Sequence, residues 1–361
     1  MSIFSFLISF LFSFIFVVLT IRLAKKFKFV DDPKKRNHPA ALNKKIIPRA
    51  GGLPIFLSFL LVSVILLPLS KKLLGIYLGG ALVIIVGLID DKYNLKNSYK
   101  FLAQFLAAVI VVSSGIGISF IPNPFQVLGI GEMNPVIRLD TLRILINFLG
   151  SHSILIWADL FAIFWIVWVI NMVNFSAGVD GQLGGISFVA LLVIFAASLR
   201  FYPADPNQVI VARLAVIGAG AVLGFLVFNI NPAKIFPGDS GSYFLGFLIA
   251  VLSILSGAKV GTAILVMAVP LIDGVFTVIR RIAEGKSPFL GDRKHLHHRL
   301  LEIGLTQMQV FLFYSLFCAI LGTIALSLPT SGKVFAGVFV VIIVLGGLLW
   351  LNMTLPEKAQ K

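Results

Sequence analysis

Residues 214–258 read LAVIGAGAVLGFLVFNINPAKIFPGDSGSYFLGFLIAVLSILSGA, two apolar runs of about bilayer-crossing length held apart by one polar loop, Asn229 to Ser242. Pro232 and Pro237 forbid a continuous helix through that loop. Gly238 and Gly241 let the backbone turn tightly and bring amide N–H groups close to an anion. Asp239 lies between these glycines at the start of an apolar helix, with Asn229, Asn231 and Lys234 upstream. Alone, Asp239 reads as well as a helix cap as it does as a ligand for Mg²⁺ bridging to phosphate oxygens. The other loops decide between the two.

Outward from this stretch the pattern repeats. The 361-residue chain is 58% hydrophobic and 12% charged, more apolar surface than a soluble globule can bury. Uncharged runs recur at Ser2–Ile21, Ala50–Ser70, Leu73–Ile89, Phe101–Phe120, Leu160–Val179 and Gly181–Leu199. They continue at Leu214–Ile230, Gly241–Ala258, Val260 to about Ile279 with Asp273 inside, Val310–Leu328 and Val334–Leu351. The expectation is an all-α polytopic membrane protein, a single domain over residues 1–361 with about eleven transmembrane helices. The first run lacks a small-residue cleavage site and leads into a basic loop, so it reads as a permanent helix. Cys318, the single cysteine, lies within an apolar run and reads as packing.

The net charge of +15 does not point to nucleic acid, because its distribution follows the loops. With the first terminus external, most of the 30 lysines and arginines fall on one side, which the positive-inside rule makes cytoplasmic. The carboxylate-bearing motifs fall on that side too. The first cytoplasmic loop ends with Lys44, Lys45 and Arg49 before Gly51 and Gly52, a phosphate-facing arrangement at a helix N-terminus. The third run ends GLIDDKYNL, with Asp90 and Asp91 at the membrane edge, where the helix dipole disfavours acids. The fifth ends NMVNFSAGVDG: Asn171 and Asn174 share a helical face, and Asp180 follows in a glycine-rich turn suited to a nucleotide or sugar.

The segment from Ile121 to about Ser153 is external and rich in turn formers, and His152 and Asp159 read as interfacial. Asp273, within the ninth run, is an intramembrane carboxylate and so a functional candidate, or a partner for Arg280. The loop after it carries His295, His297 and His298 among arginines and lysines. No cysteine accompanies the histidines and only His295 and His298 would share a helix face, so phosphate or lipid head-group binding is more economical than zinc. Carboxylates for Mg²⁺ facing basic groups at a lipid boundary are the equipment of phosphoryl transfer.

In order, the motifs DDPKKRNHP with PRAGG, GLIDDKYNL, NMVNFSAGVDG, NPAKIFPGDSGS and GDRKHLHHRL resemble those of the polyprenyl-phosphate N-acetylhexosamine-1-phosphate transferases, from about Asp31 to Gly322. That family includes the phospho-MurNAc-pentapeptide translocase. The histidine loop is more similar to the GlcNAc-1-phosphate branch that starts O-antigen, enterobacterial common antigen or teichoic acid synthesis. The resemblance implies transfer of a sugar-1-phosphate from a UDP-N-acetylhexosamine to polyprenyl (undecaprenyl) phosphate, with release of UMP. It further implies Mg²⁺, or Mn²⁺ in its place, cytoplasmic active-site loops in the cell membrane, contact with membrane lipids, and dimers.

By the same resemblance Asp239, Asp90 and Asp91 would be catalytic and metal-binding, with Asp239 the principal ligand. Lys44, Arg49, Asn171, Asn174, Asp180, Asn229 and Phe236 would line the donor pocket, Phe236 by stacking on uracil. His295, His297, His298 and Arg299 would meet phosphates or sugar. The chain departs from the family at Ala177, where an acid is usual, and at Gln182, where leucine is usual. The missing acid implies altered donor choice. A transporter and a silent lipid-sugar binder are the rival readings, but the polar motifs gather at one membrane edge and no hydropathy repeat is evident.

Overall fold

The computed structural model describes residues 2–32, 45–127, 129, 134–147, 151–202, 204–256, 259–287 and 294–355. The long elements are helices α1 (Ser2–Lys26), α2 (Gly52–Leu66), α3 (Lys71–Tyr93) and α4 (Asn97–Ser113), a short α5 (Pro124–Val127), then α6 (Ile156–Phe175) and α7 (Gln182–Phe201). They continue as α8 (Gln208–Asn229), α9 (Gly238–Leu255), α10 (Lys259–Val266), α11 (Ala268–Ala283), α12 (Leu296–Glu302), α13 (Gln307–Ser327) and α14 (Thr330–Thr354). Three small antiparallel pairs complete the described chain: β1 (Val30–Asp31) with β2 (Ile47–Pro48), β3 (Phe120–Pro122) with β4 (Val136–Arg138), and β5 (Arg143–Asn147) with β6 (Ser151–Leu155). The last two pairs occupy the segment expected to be turn-rich and external.

Each apolar run of the sequence coincides with a helix or, once, with a bent pair. The expected eleven full-length spans are nevertheless not established. Among the described residues eight helices are long and apolar enough to cross a membrane, or nine if α10 and α11, bent by 81°, form one broken span. Helices α2 and α4 have 15 and 17 residues. At 1.5 Å per residue they reach only about 22 and 26 Å, against roughly 30 Å of hydrocarbon. Local chemistry ends both early: Leu67 is extended because Pro68 follows it, and Gly115 turns the chain after α4 with φ +89°. The bend at Met267 follows from Pro270, whose ring would clash with the carbonyl of Val266, the last residue of α10.

The bundle is built around α8 and α9, the most enclosed of the spans, with α1 and α14 the most exposed. Lipid offers no hydrophobic drive to associate helices, so contact comes from close approach and interhelical hydrogen bonds. Helix α1 supplies both with a stripe of Ser5, Ser9 and Ser13 on its buried face. Ser9 donates to the Ile217 carbonyl at 2.7 Å and Ser13 to that of Ala221 at 2.6 Å. Gly220 and Gly224 of α8 meet the α1 backbone so closely that any Cβ would strike it. Trp165 of α6 donates to Ser253 of α9 at 3.0 Å and fixes the opposite flank. With the bundle locked this way, the polar ends of α3, α6 and α8 and the start of α9 gather at one end.

Candidate active site

Residues 45–52 run beside the start of α9. Phe236 N donates to the Pro48 carbonyl at 2.8 Å, Gly51 N to that of Phe236 at 3.0 Å, and Gly52 N to that of Pro237 at 3.1 Å. This strapping carries Arg49 to the centre of the acidic motifs. Its Nε lies 3.0 Å from Asp91 Oδ1 and its Nη2 2.7 Å from Asp239 Oδ2, so one planar guanidinium joins a residue of α3 to one of α9. Burial works against the charge of Arg49, but Asp239 and then Asp91 more than offset it and hold the group above its ordinary range. The cation is permanent.

Asp91 is turned to the N-terminus of α9. It accepts from Asp239 N at 2.7 Å, from Ser240 N at 3.2 Å and from Ser240 Oγ at 2.7 Å, satisfying amides that a helix start leaves orphaned. The contact depends on glycine. Gly238 has φ +68° and a Cβ there would collide with the Asp91 carboxylate, while Gly52 and Gly87 let α2 and α3 touch the main chain of Ser240. Asp91 therefore positions the acidic loop with both of its oxygens.

Asp90 faces the other way. Its Oδ1 accepts from Leu95 N at 2.8 Å, and its Oδ2 meets Lys100 Nζ at 2.7 Å and the Tyr243 hydroxyl at 3.3 Å. The Asp239 carboxyl lies within hydrogen-bonding reach of it. Two carboxyls side by side require a shared proton or a cation between them. This pair fits Mg²⁺, which commonly takes one or two protein carboxylates and completes its shell with phosphate and water. Among the described residues no group of three or more His, Cys, Asp or Glu is set for a closed metal site.

The expected donor-pocket residues divide. Asn174 accepts from Ser242 Oγ at 2.6 Å and so ties the end of α6 to the first turn of α9. Asn171, a turn earlier, donates to Gln104 Oε1 of α4 at 2.6 Å and helps hold the helices together. Asp180 accepts from Asn231 Nδ2 at 2.9 Å and Ala233 N at 3.0 Å. Asn229 accepts from Gly181 N at 3.2 Å and donates to the Ile235 carbonyl at 2.9 Å. Asp180 and Asn229 thus latch the 176–181 turn to the 230–237 loop. Phe236 is half-buried and its main chain is bridged to that of Arg49. Lys44 lies outside the described residues.

The histidines form a second, separate group. Asp273 accepts from Leu296 N at 3.0 Å and lies 3.1 Å from His295 Nδ1, capping α12 from α11. The rings of His295 and His297 stack with centroids 5.4 Å apart, and His297 and His298 follow at 4.3 Å. Phe175, next to Asn174, packs on His295 at 5.7 Å and under Arg281 at 5.8 Å. The end of α6 thereby bridges the acidic and histidine groups. Burial first, then His298 and His295, hold His297 well below the ordinary histidine range, so its ring is neutral. Arg299 is turned away, donating to Asn352 Oδ1 at 3.0 and 2.9 Å and to Glu302 at 2.7 Å.

The sequence reading missed Lys100, Tyr243, Ser240 and Ser242. A signal existed for Tyr243, four residues after Asp239 and so on the same helical face. Lys100, in the first turn of α4, had no such marker.

A family model described as Glycosyl transferase family 4 matches residues 73–257. The chain is 30% identical to the probable undecaprenyl-phosphate N-acetylglucosaminyl 1-phosphate transferase of Bacillus subtilis, covering 94% of this chain and 88% of that protein. It is 31% identical to the decaprenyl-phosphate N-acetylglucosaminephosphotransferase of Mycolicibacterium smegmatis, over 94% and 86% of the two chains. With the undecaprenyl-phosphate alpha-N-acetylglucosaminyl 1-phosphate transferase of Escherichia coli K12 it shares 29% identity, over 91% and 84%. The family model includes Asp90, Asp91 and Asp239 but ends before the histidine group, whereas the alignments to the three relatives are long enough to include both groups.

Proposed function

The chain belongs to glycosyl transferase family 4, and from that premise we propose that it transfers GlcNAc-1-phosphate from UDP-GlcNAc to a polyprenyl phosphate and releases UMP, the first membrane step in building a cell-envelope polysaccharide. The observation that carries the reading is the pair Asp90 and Asp239, side by side at the end of the bundle and flanked by Lys100 and Arg49. The names of the relatives supply the sugar and the acceptor class. The site faces the cytoplasm on this reading, because the basic loops lie on its side of the membrane.

In the reaction an oxygen of the acceptor phosphate attacks the sugar-linked phosphorus of the donor. One P–O bond forms, the P–O bond to the uridylyl side breaks, and its electron pair leaves with UMP. The acceptor has a second pKa of about 6 and is already mostly dianionic at neutral pH, so it needs no strong base. Asp90, fixed by Leu95 N, Lys100 and Tyr243, orients the acceptor and tunes the charge beside it. Asp239 and Asp90 would hold Mg²⁺, which when bound neutralises charge on the phosphoryl oxygens. Arg49 holds the Asp239 carboxyl in place. Half-buried Phe236 would supply an aromatic face for the uracil ring.

The test is UMP release by purified protein in detergent with undecaprenyl phosphate, Mg²⁺ and a panel of UDP-N-acetylhexosamines. Release with UDP-GlcNAc, abolished by EDTA and reduced at least ~10³-fold in Asp239→Asn, is expected. Silence from folded protein across the panel would remove the transferase reading. A preference for another donor would keep the reaction and change the sugar; in that case Ala177→Asp should raise turnover on UDP-GlcNAc.

A further inference from the structure

Each of the two carboxylates assigned to the metal carries a cation of the chain's own. Arg49 Nη2 lies 2.7 Å from Asp239 Oδ2, and Lys100 Nζ lies 2.7 Å from Asp90 Oδ2. Arg49 is the more firmly placed of the two by its main chain. Its N donates to the Phe29 carbonyl at 2.9 Å, and Pro48 before it pairs with Val30. Gly51 after it is pressed so tightly against Phe225 and the main chain of Phe236 that any Cβ would collide. A guanidinium, unlike an ammonium, does not shed its proton when buried. The positive charge beside Asp239 is therefore fixed in place and in sign.

Pairing Asp91 is not enough to account for it. Asp91 already accepts from Asp239 N, Ser240 N and Ser240 Oγ, three donors at the start of α9. The contact with a consequence for the reaction is the one to Asp239, because that carboxylate would share Mg²⁺ with Asp90. An oxygen that accepts from a guanidinium has less negative charge to offer a metal, and a dication on the same carboxylate stands close to a fixed cation in a partly buried site, where such repulsion is poorly screened. Phosphate oxygens bring the negative charge that offsets it.

We propose that Arg49 is a built-in counter-cation that holds down the affinity of the Asp239 and Asp90 pair for a divalent ion, so that the ion is held firmly only together with the phosphates of the donor. This rests on the transferase reading above. Arg49 acts through Asp239 and is not itself a ligand of the ion.

The experiment titrates purified protein in detergent with Mn²⁺ alone, without donor or acceptor, and follows the free ion by electron paramagnetic resonance. Arg49→Gln and Arg49→Met, which remove the charge, should bind Mn²⁺ about tenfold or more tightly than the wild type. Arg49→Lys, which keeps the charge, should stay near the wild type, and Asp239→Asn added to Arg49→Gln should abolish the gain. The Mg²⁺ concentration for half-maximal UMP release should fall in Arg49→Gln even as kcat falls, a split that a mere loss of packing would not produce. Unchanged or weaker Mn²⁺ binding in the neutral variants would overturn the proposal, and so would an equal gain in Arg49→Lys. Should the neutral variants fail to fold in EDTA, recovery of their melting transition with Mn²⁺ would support the proposal and no recovery would overturn it. EDTA-sensitive UMP release by the wild type alongside any of these failures would leave the transferase reading intact; no release by the wild type would remove that reading, and the proposal with it.

Discussion

The acidic and histidine groups use one device to opposite ends. In each, an aspartate on one helix caps the first turn of a later one: Asp91 of α3 holds α9, and Asp273 of α11 holds α12. Around Asp91 ionisable groups of both signs crowd together, with Arg49 bridging two carboxyls and Lys100 on a third. Around Asp273 the charge is muted, with stacked imidazoles and a neutral His297. The first environment gathers carboxylates that a dication would bring together and cations that would meet phosphate. The second reads a ligand through hydrogen bonds and shape.

The largest break in this comparison is Arg49→Met. It leaves Asp91 and Asp239 near one another without their common cation, and removing one partner of a buried pair costs about 3–5 kcal/mol. Chemical or thermal unfolding in detergent should show that loss, and UMP release should fall at least ~10²-fold. Arg49→Lys should restore much of the stability and little of the activity, since an ammonium cannot make both contacts of the planar fork.

A smaller break is Asp273→Leu. Leu296 N loses its acceptor and His295 its orienting carboxylate, a cost of about 1–3 kcal/mol by the usual penalty for an orphaned buried donor. Asp273→Asn should recover most of it, because one oxygen still accepts from Leu296. The charge contrast also predicts a pH response. His297 is depressed in the folded state, so the unfolded chain binds the proton more readily as pH falls below about 6.5. Its contribution is full above that pH and is lost going down, at a slope of no more than about 1.4 kcal/mol per pH unit. Melting midpoints between pH 7.5 and 5 should show the decline, and His297→Gln should flatten it.

Much of this architecture was legible, and the failures have local causes. Apolar runs marked the helices because lipid demands continuous apolar stretches, but run length overstated helix length wherever Pro68 or Gly115 cut a helix inside its run. Pro270 announced the α10–α11 bend and was read through. Motif spacing located the acids but not their orientation: Asp90 and Asp91 are neighbours in sequence, yet one faces Lys100 and Tyr243 and the other caps α9. Adjacent helical residues point about 100° apart, so different partners for the two were implied from the start. Arg299 shows the same gap between residue type and orientation. Its charge suggested phosphate, whereas Asn352 and Glu302 hold all the donors for which the structure gives partners.

The smallest expected effect is the sharpest test of how the two groups communicate. Asn174 and Phe175 are consecutive residues, one bonded to Ser242 beside the acids and the other packed on His295. Ser242→Ala removes one buried hydroxyl and leaves the Asn174 amide oxygen without that donor, at a cost of about 1 kcal/mol. If the end of α6 couples the groups, Ser242→Ala and His295→Ala should lower kcat/KM non-additively, with an interaction of at least about 0.5 kcal/mol. Full additivity would mean that the acidic and histidine groups act on the donor independently, and that α6 only supports them.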